Sequence, residues 1–157
     1  MGHMGMPTVQ DQHRKLHALA GKWRGEEKIH PSPWDSKGGT AMAKLETRVD
    51  MDGFFVVSDY VQERGGQVSY RGHGVYGYDT QKGCYTLNWF DSMGSCQWEP
   101  ARGEWEGNVL SFTQKNPMGH ARYVYTFPDD KHQTFRIDHS QDGKQWSTFM
   151  EGTYTKS

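Results

Sequence analysis

The chain lacks several features that mark large classes of proteins. It has only two cysteines among 157 residues, so it is not a disulfide-stabilised scaffold. No apolar run approaches the roughly 20 residues that a membrane-spanning helix requires. Its 18 basic and 19 acidic side chains nearly balance, so the positive surface typical of nucleic-acid-binding proteins is missing. We therefore expect neither a nucleic acid nor a membrane as a partner.

Aliphatic side chains are also scarce, whereas aromatic residues and glycines are abundant. Hydrophobic residues make up 34% of the chain, aromatic residues 13%, and there are 19 glycines. Aromatic residues favour strands and glycines favour turns, so the composition indicates many short strands rather than a helical bundle. We interpret residues 1–6 as a cloning scar with a disordered start, and residues 7–157 as one domain. No signal peptide is recognisable, so the cytoplasm is the default location.

The periodicity predicts one helix followed by strands. Residues 9–20 place Leu16 and Leu19 on one face, with Thr8 as the cap and Gly21 as the stop. Short β-rich segments separated by turn residues follow at a spacing of about 10–14 residues. The predicted strands are residues 22–30, 40–51, 54–64, 67–78, 84–91, 95–101, 104–114, 120–127, 132–139 and 145–155.

This order of elements predicts the fold class and the state of the cysteines. About ten sequential strands joined by short hairpins have exposed edges unless the sheet closes. We therefore expect an all-β protein: a closed antiparallel up-and-down barrel, lipocalin-like, with one short N-terminal helix. Cys84 and Cys96 fall near opposite ends of this barrel, beyond disulfide reach, and are expected to be free thiols.

Several motifs resemble one known family. Residues 19–23 (LAGKW) contain the Gly-x-Trp pattern that is similar to the lipocalin (calycin) signature, in which the Trp plugs the closed end of the barrel. Together with four further segments, the chain resembles domain-of-unknown-function family 1579, bacterial lipocalin-like barrel proteins. The resemblance implies the barrel and no particular reaction. The further segments are residues 30–35 (HPSPWD), 53–60 (GFFVVSDY), 70–79 (YRGHGVYGYD) and 89–94 (WFDSMG).

The position of Trp23 orients the predicted barrel. If Trp23 lies at the closed end, the first strand runs to the open end, which we call the mouth. The long loop 30–39 and the turn 91–94 then lie on the same rim. Two prolines and a glycine pair keep loop 30–39 out of the sheet, so we expect it to be a lid that carries Trp34.

Strand parity divides the middle strands into two faces. A two-residue turn at 65–66 places Asp59 opposite Gly72, and a four-residue turn at 80–83 places Gly72 opposite Asp91. We interpret the face that contains Asp59, Tyr70, Trp89 and Asp91 as the interior. This choice requires a three-residue turn at 51–53. A two-residue turn at 52–53 would instead bring Arg71 and His73 inside.

These expectations lead to a predicted function. We expect non-covalent binding of a small, largely apolar or aromatic ligand in the barrel, beneath the loop that carries Trp34. One alternative is an enzyme, such as a hydrolase, isomerase or cyclase, that uses Asp59 and Asp91 or His73 as acid–base groups. A second alternative is haem binding through a single histidine. We expect no catalytic residues, no metal site and no cofactor in the main interpretation, and a monomer or homodimer. The candidate ligand-binding residues are Trp34, Asp59, Tyr70, His73, Trp89, Asp91 and Met93.

Overall fold

The barrel closes as predicted. A computed structural model describes residues 5–95 and 99–157, and in it ten antiparallel strands form one closed sheet. Each strand pairs with its neighbours in the sequence, and the first strand pairs with the last. The strands are β1 (Gly21–Ile29), β2 (Gly39–Asp50), β3 (Phe55–Arg64), β4 (Gln67–Asp79), β5 (Cys84–Asp91), β6 (Ala101–Glu106), β7 (Val109–Asn116), β8 (Gly119–Thr126), β9 (His132–Ser140) and β10 (Ser147–Lys156).

A short helical segment covers the closed end. Helix α1 spans Asp11–Lys15 and continues as a 3-10 turn over Leu16–Leu19. The predicted cap Thr8 is wrong, because Gln10 caps the helix in a reciprocal capping box with His13. The indole of Trp23 donates to the carbonyl of Leu19 at 2.9 Å, which seals this end of the barrel.

The sixth and seventh strands differ from their predicted bounds. The hairpin between β6 and β7 falls at residues 107–108, where Gly107 has a φ of 58° that favours glycine. Sequence reasoning passed over this turn and therefore merged part of β6 with β7. Part of the predicted strand 95–101 lies outside the described residues, and so does Cys96. Cys84 is a free thiol.

The turn between β2 and β3 is one residue longer than predicted. Asp50 pairs with Phe55, so the connection contains four residues, 51–54, instead of three. As a result Leu45 faces Tyr60 rather than Asp59. The inward face of β3 is therefore the one that sequence parity assigned to the outside.

A β-bulge between β3 and β4 shifts the register back. Glu63 pairs with Val68 but Gln62 pairs with Tyr70, so one extra residue lies on β4. From β4 onwards the predicted inward face is correct. The predicted pairs of Gly72 with Asp91 and of Gly74 with Trp89 are both present.

The barrel interior has two regions. The first, which we call the closed region, fills the closed end with almost fully buried side chains; the second, the open region, lies at the mouth and is half-buried. No helix in the part of the chain that the structure describes is long and apolar enough to cross a membrane. The closed region contains Trp23, Val56, Leu87, Leu110 and Phe112, and the open region contains Gln62, Tyr70, Trp89, Asp91, Tyr123 and Ile137.

Candidate functional site

A chain of hydrogen bonds joins three of the predicted site residues in the open region. The indole of Trp89 donates to the hydroxyl of Tyr70 at 2.8 Å, and that hydroxyl donates to Asp91 Oδ2 at 2.8 Å. The ring of Trp89 lies against β4. It is so close that a Cβ atom on Gly72 would be only 2.0 Å from Trp89 Cζ2. The glycine at this position therefore accommodates the indole, and the indole forms one wall of the open region.

Asp91 also organises the turn at the mouth. Its Oδ1 accepts hydrogen bonds from the backbone N–H groups of Met93 at 3.0 Å and Ser95 at 3.2 Å. The side chain of Met93 is 80% exposed on this turn. Asp91 therefore holds both the turn and the Tyr70 hydroxyl in position.

Sequence reasoning missed a second interior carboxylate. Glu27 is fully buried and accepts hydrogen bonds from the hydroxyls of Tyr60 and Tyr154 and from the amide of Gln62. Glu27 lies four residues after Trp23 on β1 and therefore on the same inward face. The signal that could have found it is a charged residue on the apolar side of a strand, which requires partners inside.

The tyrosines around these carboxylates remain protonated over a wide pH range. Burial, together with the carboxylate of Glu27, raises the pKa of Tyr60 and of Tyr154 well above the ordinary value. Burial is also the main cause that raises the pKa of Tyr70. Their hydroxyls therefore act as hydrogen-bond donors rather than as bases at neutral pH.

The long loop packs across one side of the mouth. Trp34 is 52% exposed, and its ring meets His139 edge-on at 4.9 Å and Phe149 at 5.8 Å between ring centres. The guanidinium of Arg64 anchors the loop through Asp35 Oδ2 at 2.8 Å and through a backbone carbonyl of the loop at 3.0 Å. The Arg64 guanidinium also lowers the pKa of Asp35, so this ion pair persists into mildly acidic solution.

The predicted interior position of Asp59 is wrong. Because of the longer β2–β3 turn, Asp59 lies on the outside of the barrel and pairs with His73, with Asp59 Oδ1 and His73 Nδ1 2.7 Å apart. The two side chains are 54% and 43% exposed, and Arg48 contacts the other oxygen of Asp59 at 3.3 Å. His73 was expected to be outside in the favoured register, and it is.

The positions of Asp59 and His73 bear on the two alternative functions, the enzyme and the haem-binding protein. Asp59 and Asp91 do not share a cavity, so these two carboxylates cannot act together as acid–base groups inside the barrel. His73 points away from the interior and is engaged by Asp59, so it cannot bind haem inside the barrel. Within residues 5–95 and 99–157 no group of three or more metal-binding side chains comes together. What the open region offers is aromatic surface and hydrogen-bonding oxygens.

Solved structures of other proteins contain the same barrel. Rv2717c from M. tuberculosis is similar with a TM-score of 0.71 and 12% identity, over 96% of this chain and 99% of that one. The S-type phycobiliprotein lyase CPES from Guillardia theta is similar with a TM-score of 0.67 and 10% identity, over 94% and 93% of the two chains. At these identities the likeness concerns the fold.

Sequence comparison gives the family directly. No curated protein matches the chain. One family model matches it, over residues 8–156, which includes all ten strands. The matching family is described as "Protein of unknown function (DUF1579)". The resemblance seen in the sequence motifs is thus confirmed, and the chain belongs to the DUF1579 family.

Proposed function

We propose that the barrel binds a small, largely apolar or aromatic molecule in the open region, next to the loop that carries Trp34. The observation that carries this proposal is the partly accessible aromatic surface of Tyr70, Trp89 and Tyr123, above a closed region of almost fully buried side chains. Half-buried rings inside a barrel gain free energy when a ligand displaces water from them, about 25 cal/mol for each Å² of apolar surface.

The hydrogen bonds in the open region indicate the polar character of the ligand. The single hydrogen of the Tyr70 hydroxyl is used by Asp91, and the Tyr70 oxygen keeps one free lone pair after accepting from Trp89. Asp91 is an acceptor when ionised. The site therefore presents acceptors, and we expect a ligand with an N–H or O–H donor among largely apolar atoms.

The turn that follows β5 lies beside the same residues. Among the residues that the structure describes, β5 pairs with β6 at Tyr85, Thr86 and Leu87, toward the closed end. Trp89 and Asp91 lie farther along β5, next to the turn that contains Met93. We propose that a ligand enters at the mouth, with Met93 and Trp34 at the rim of the entrance.

Ligand binding is favoured over catalysis for this site. One protein with a similar barrel is named as a phycobiliprotein lyase, so the fold is compatible with an enzyme. In this chain, however, Tyr70 and Asp91 are bonded to each other and Asp59 with His73 lies outside. Among the open-region residues that the structure describes, none is arranged as a nucleophile with its base.

Fluorescence of a dye tests the proposal. N-phenyl-naphthylamine has aromatic rings and one N–H donor, and its emission rises when it enters an apolar site. We expect saturable binding that Trp89→Leu weakens about 10-fold or more, equivalent to about 1.4 kcal/mol. The matched control is Trp146→Leu, because Trp146 stacks on the guanidinium of Arg122 at 4.2 Å instead of lining the open region. Native mass spectrometry of the purified protein then identifies any natural ligand that remains bound.

Two results would overturn the proposal. One is an absence of saturable binding of the dye. The other is an equal loss of affinity in the Trp89 and Trp146 variants, since that would place the dye away from the open region.

A further inference from the structure

A separate pocket lies at the closed end, between the N-terminal segment and the β2–β3 and β4–β5 turns. Its volume is about 300 Å³, which is enough for a molecule of one or two rings. It is far from the mouth and shares no lining residue with the open region. No Asp, Glu, Lys or Arg side chain is among its described lining residues. These are Pro7, Thr8, Gln10, His13, Phe54, Phe55, Tyr78 and Thr80.

His13 contributes an unused hydrogen-bond donor to this pocket. The residue is only 4% exposed, and its Nδ1 accepts a hydrogen bond from the backbone N–H of Gln10 at 2.9 Å. Because Nδ1 is the acceptor, the hydrogen of the neutral ring is on Nε2. That Nε2–H has no hydrogen-bond partner among residues 5–95 and 99–157.

The ring of His13 is neutral in ordinary conditions. Burial is the main cause that lowers the pKa of His13, and the positive charge of Arg14 acts in the same direction. A neutral imidazole at this position offers one N–H donor and no charge. An uncharged acceptor therefore satisfies it at the lowest desolvation cost.

The pocket walls are aromatic. His13 meets the rings of Phe54 and Tyr78 edge-on, with centres 5.1 Å and 5.7 Å apart. Phe55 is 40% exposed, although it is a large apolar side chain on a strand. Exposed aromatic surface around an N–H donor that opens onto the pocket is the arrangement of a binding site rather than of a filled core.

We propose that this pocket is a second binding site, for a small, uncharged planar molecule that accepts a hydrogen bond from His13 Nε2–H. A carbonyl oxygen or an aromatic ring nitrogen supplies the acceptor, and the flat part of the molecule packs on Phe54, Phe55 and Tyr78. The site is independent of the open region and of the function proposed for it.

A pair of probes that differ only in the acceptor tests this site. Acetophenone and α-methylstyrene have nearly the same shape, but only acetophenone has a carbonyl oxygen. Titration followed by NMR should shift the signals of His13, Phe54 and Thr80 for both probes. We expect acetophenone to bind about 2- to 10-fold more tightly, the range that one hydrogen bond contributes.

Two variants locate the binding. Phe55→Ser removes one wall of the pocket and should lower the affinity for both probes several-fold. Phe90→Ser is its matched control, because Phe90 is similarly exposed, at 43%, on the outer face of β5. His13→Gln keeps an acceptor for the Gln10 N–H, and its melting temperature shows whether the capping box survives.

Four outcomes would overturn the inference. The first is an absence of shifts in the pocket residues up to the solubility of the probes. The second is equal affinity for the two probes, which would mean that Nε2–H takes no part. The third is an equal response of the Phe55 and Phe90 variants. Shifts confined to Tyr70 and Trp89 would assign the probes to the open region and refute this second site.

Discussion

The closed and open regions of the barrel interior differ in how completely their side chains are buried. Leu110, Phe112 and Val56 in the closed region are fully buried, whereas Tyr70 and Trp89 in the open region are half-buried. Both regions are rich in aromatic residues, so composition alone does not distinguish them. One end of the barrel therefore stabilises the fold, while the other end leaves aromatic surface accessible.

The two carboxylates of the barrel interior, Glu27 and Asp91, also differ in how completely they are buried. Glu27 is fully enclosed and takes donors from three side chains, so it is part of the folded framework. Asp91 is half-buried and bonds one side chain and the mouth turn. Substitutions in the closed region should therefore lower the free energy of unfolding, whereas substitutions in the open region should lower ligand affinity.

The largest effect is expected in the closed region. Leu110→Ala removes a fully buried side chain and should lower the free energy of unfolding by about 2–5 kcal/mol, because the packed interior relaxes only partly. Urea unfolding followed by circular dichroism measures it. The affinity of the folded variant for N-phenyl-naphthylamine should stay within about 2-fold. A large loss of affinity with little loss of stability would reverse the roles of the two regions.

The second prediction concerns Glu27. Glu27→Leu leaves the hydroxyls of Tyr60 and Tyr154 without their acceptor and should lower the free energy of unfolding by about 2–4 kcal/mol. Glu27→Gln keeps one acceptor oxygen and should be less destabilising. The same urea experiment compares the two variants. If Glu27→Leu were as stable as the wild type, the hydrogen-bonded framework would be unimportant.

The third prediction concerns alkaline pH. Burial raises the pKa of Tyr76 to about 12, and its hydroxyl is 2.7 Å from that of Tyr125, also buried. The unfolded chain loses its tyrosine protons near the ordinary pKa of 10, so stability is complete below pH 10 and falls as the pH rises toward 12. At pH 11 this tyrosine should account for a loss of about 1 kcal/mol. Tyr76→Phe should show a smaller fall between pH 9 and pH 11 than the wild type. An equal fall in both proteins would contradict this assignment.

The smallest effect is expected outside the barrel. Asp59→Asn weakens a hydrogen bond with His73 that lies largely in solvent, so the free energy of unfolding should change by less than about 0.5 kcal/mol. Hydrogen bonding to His73 lowers the pKa of Asp59, so the small contribution is present at neutral pH and is lost as the pH falls below the ordinary value near 4. Dye affinity should not change. A clear change in dye affinity would indicate that Asp59 is part of the proposed binding site.

The sequence was sufficient for the fold class but not for every strand face. On β1, Trp23 and Glu27 are four residues apart and share one face, and both are buried in the barrel. The prediction missed one residue in the β2–β3 turn and one extra residue in the β4 bulge. Each error exchanges the inward and outward faces of the strands that follow it. The two exchanges cancel from β4 onwards, so Trp89 and Asp91 were placed correctly, but β3 lies between them and Asp59 was not. A bulge has no reliable signature in a single sequence, since it depends on how neighbouring strands pack.

The candidate site was predicted less completely than the fold. Tyr70, Trp89 and Asp91 were selected because they alternate on one face, and the structure joins them by hydrogen bonds. Glu27 was missed as a functional group because its partners come from β3 and β10, far away in the sequence. The pocket at His13 could not be predicted either, because it depends on where the N-terminal segment crosses the sheet.

Hydrogen–deuterium exchange with and without N-phenyl-naphthylamine tests the central claim most directly. We expect slower exchange on binding in the loop 30–38, in residues 67–72 of β4 and in the turn 91–95, because these segments surround the open region. Exchange in residues 107–112, next to the closed region, should not change. Protection confined to 107–112, or no protection anywhere at saturating dye, would contradict the assignment of ligand binding to the mouth of the barrel.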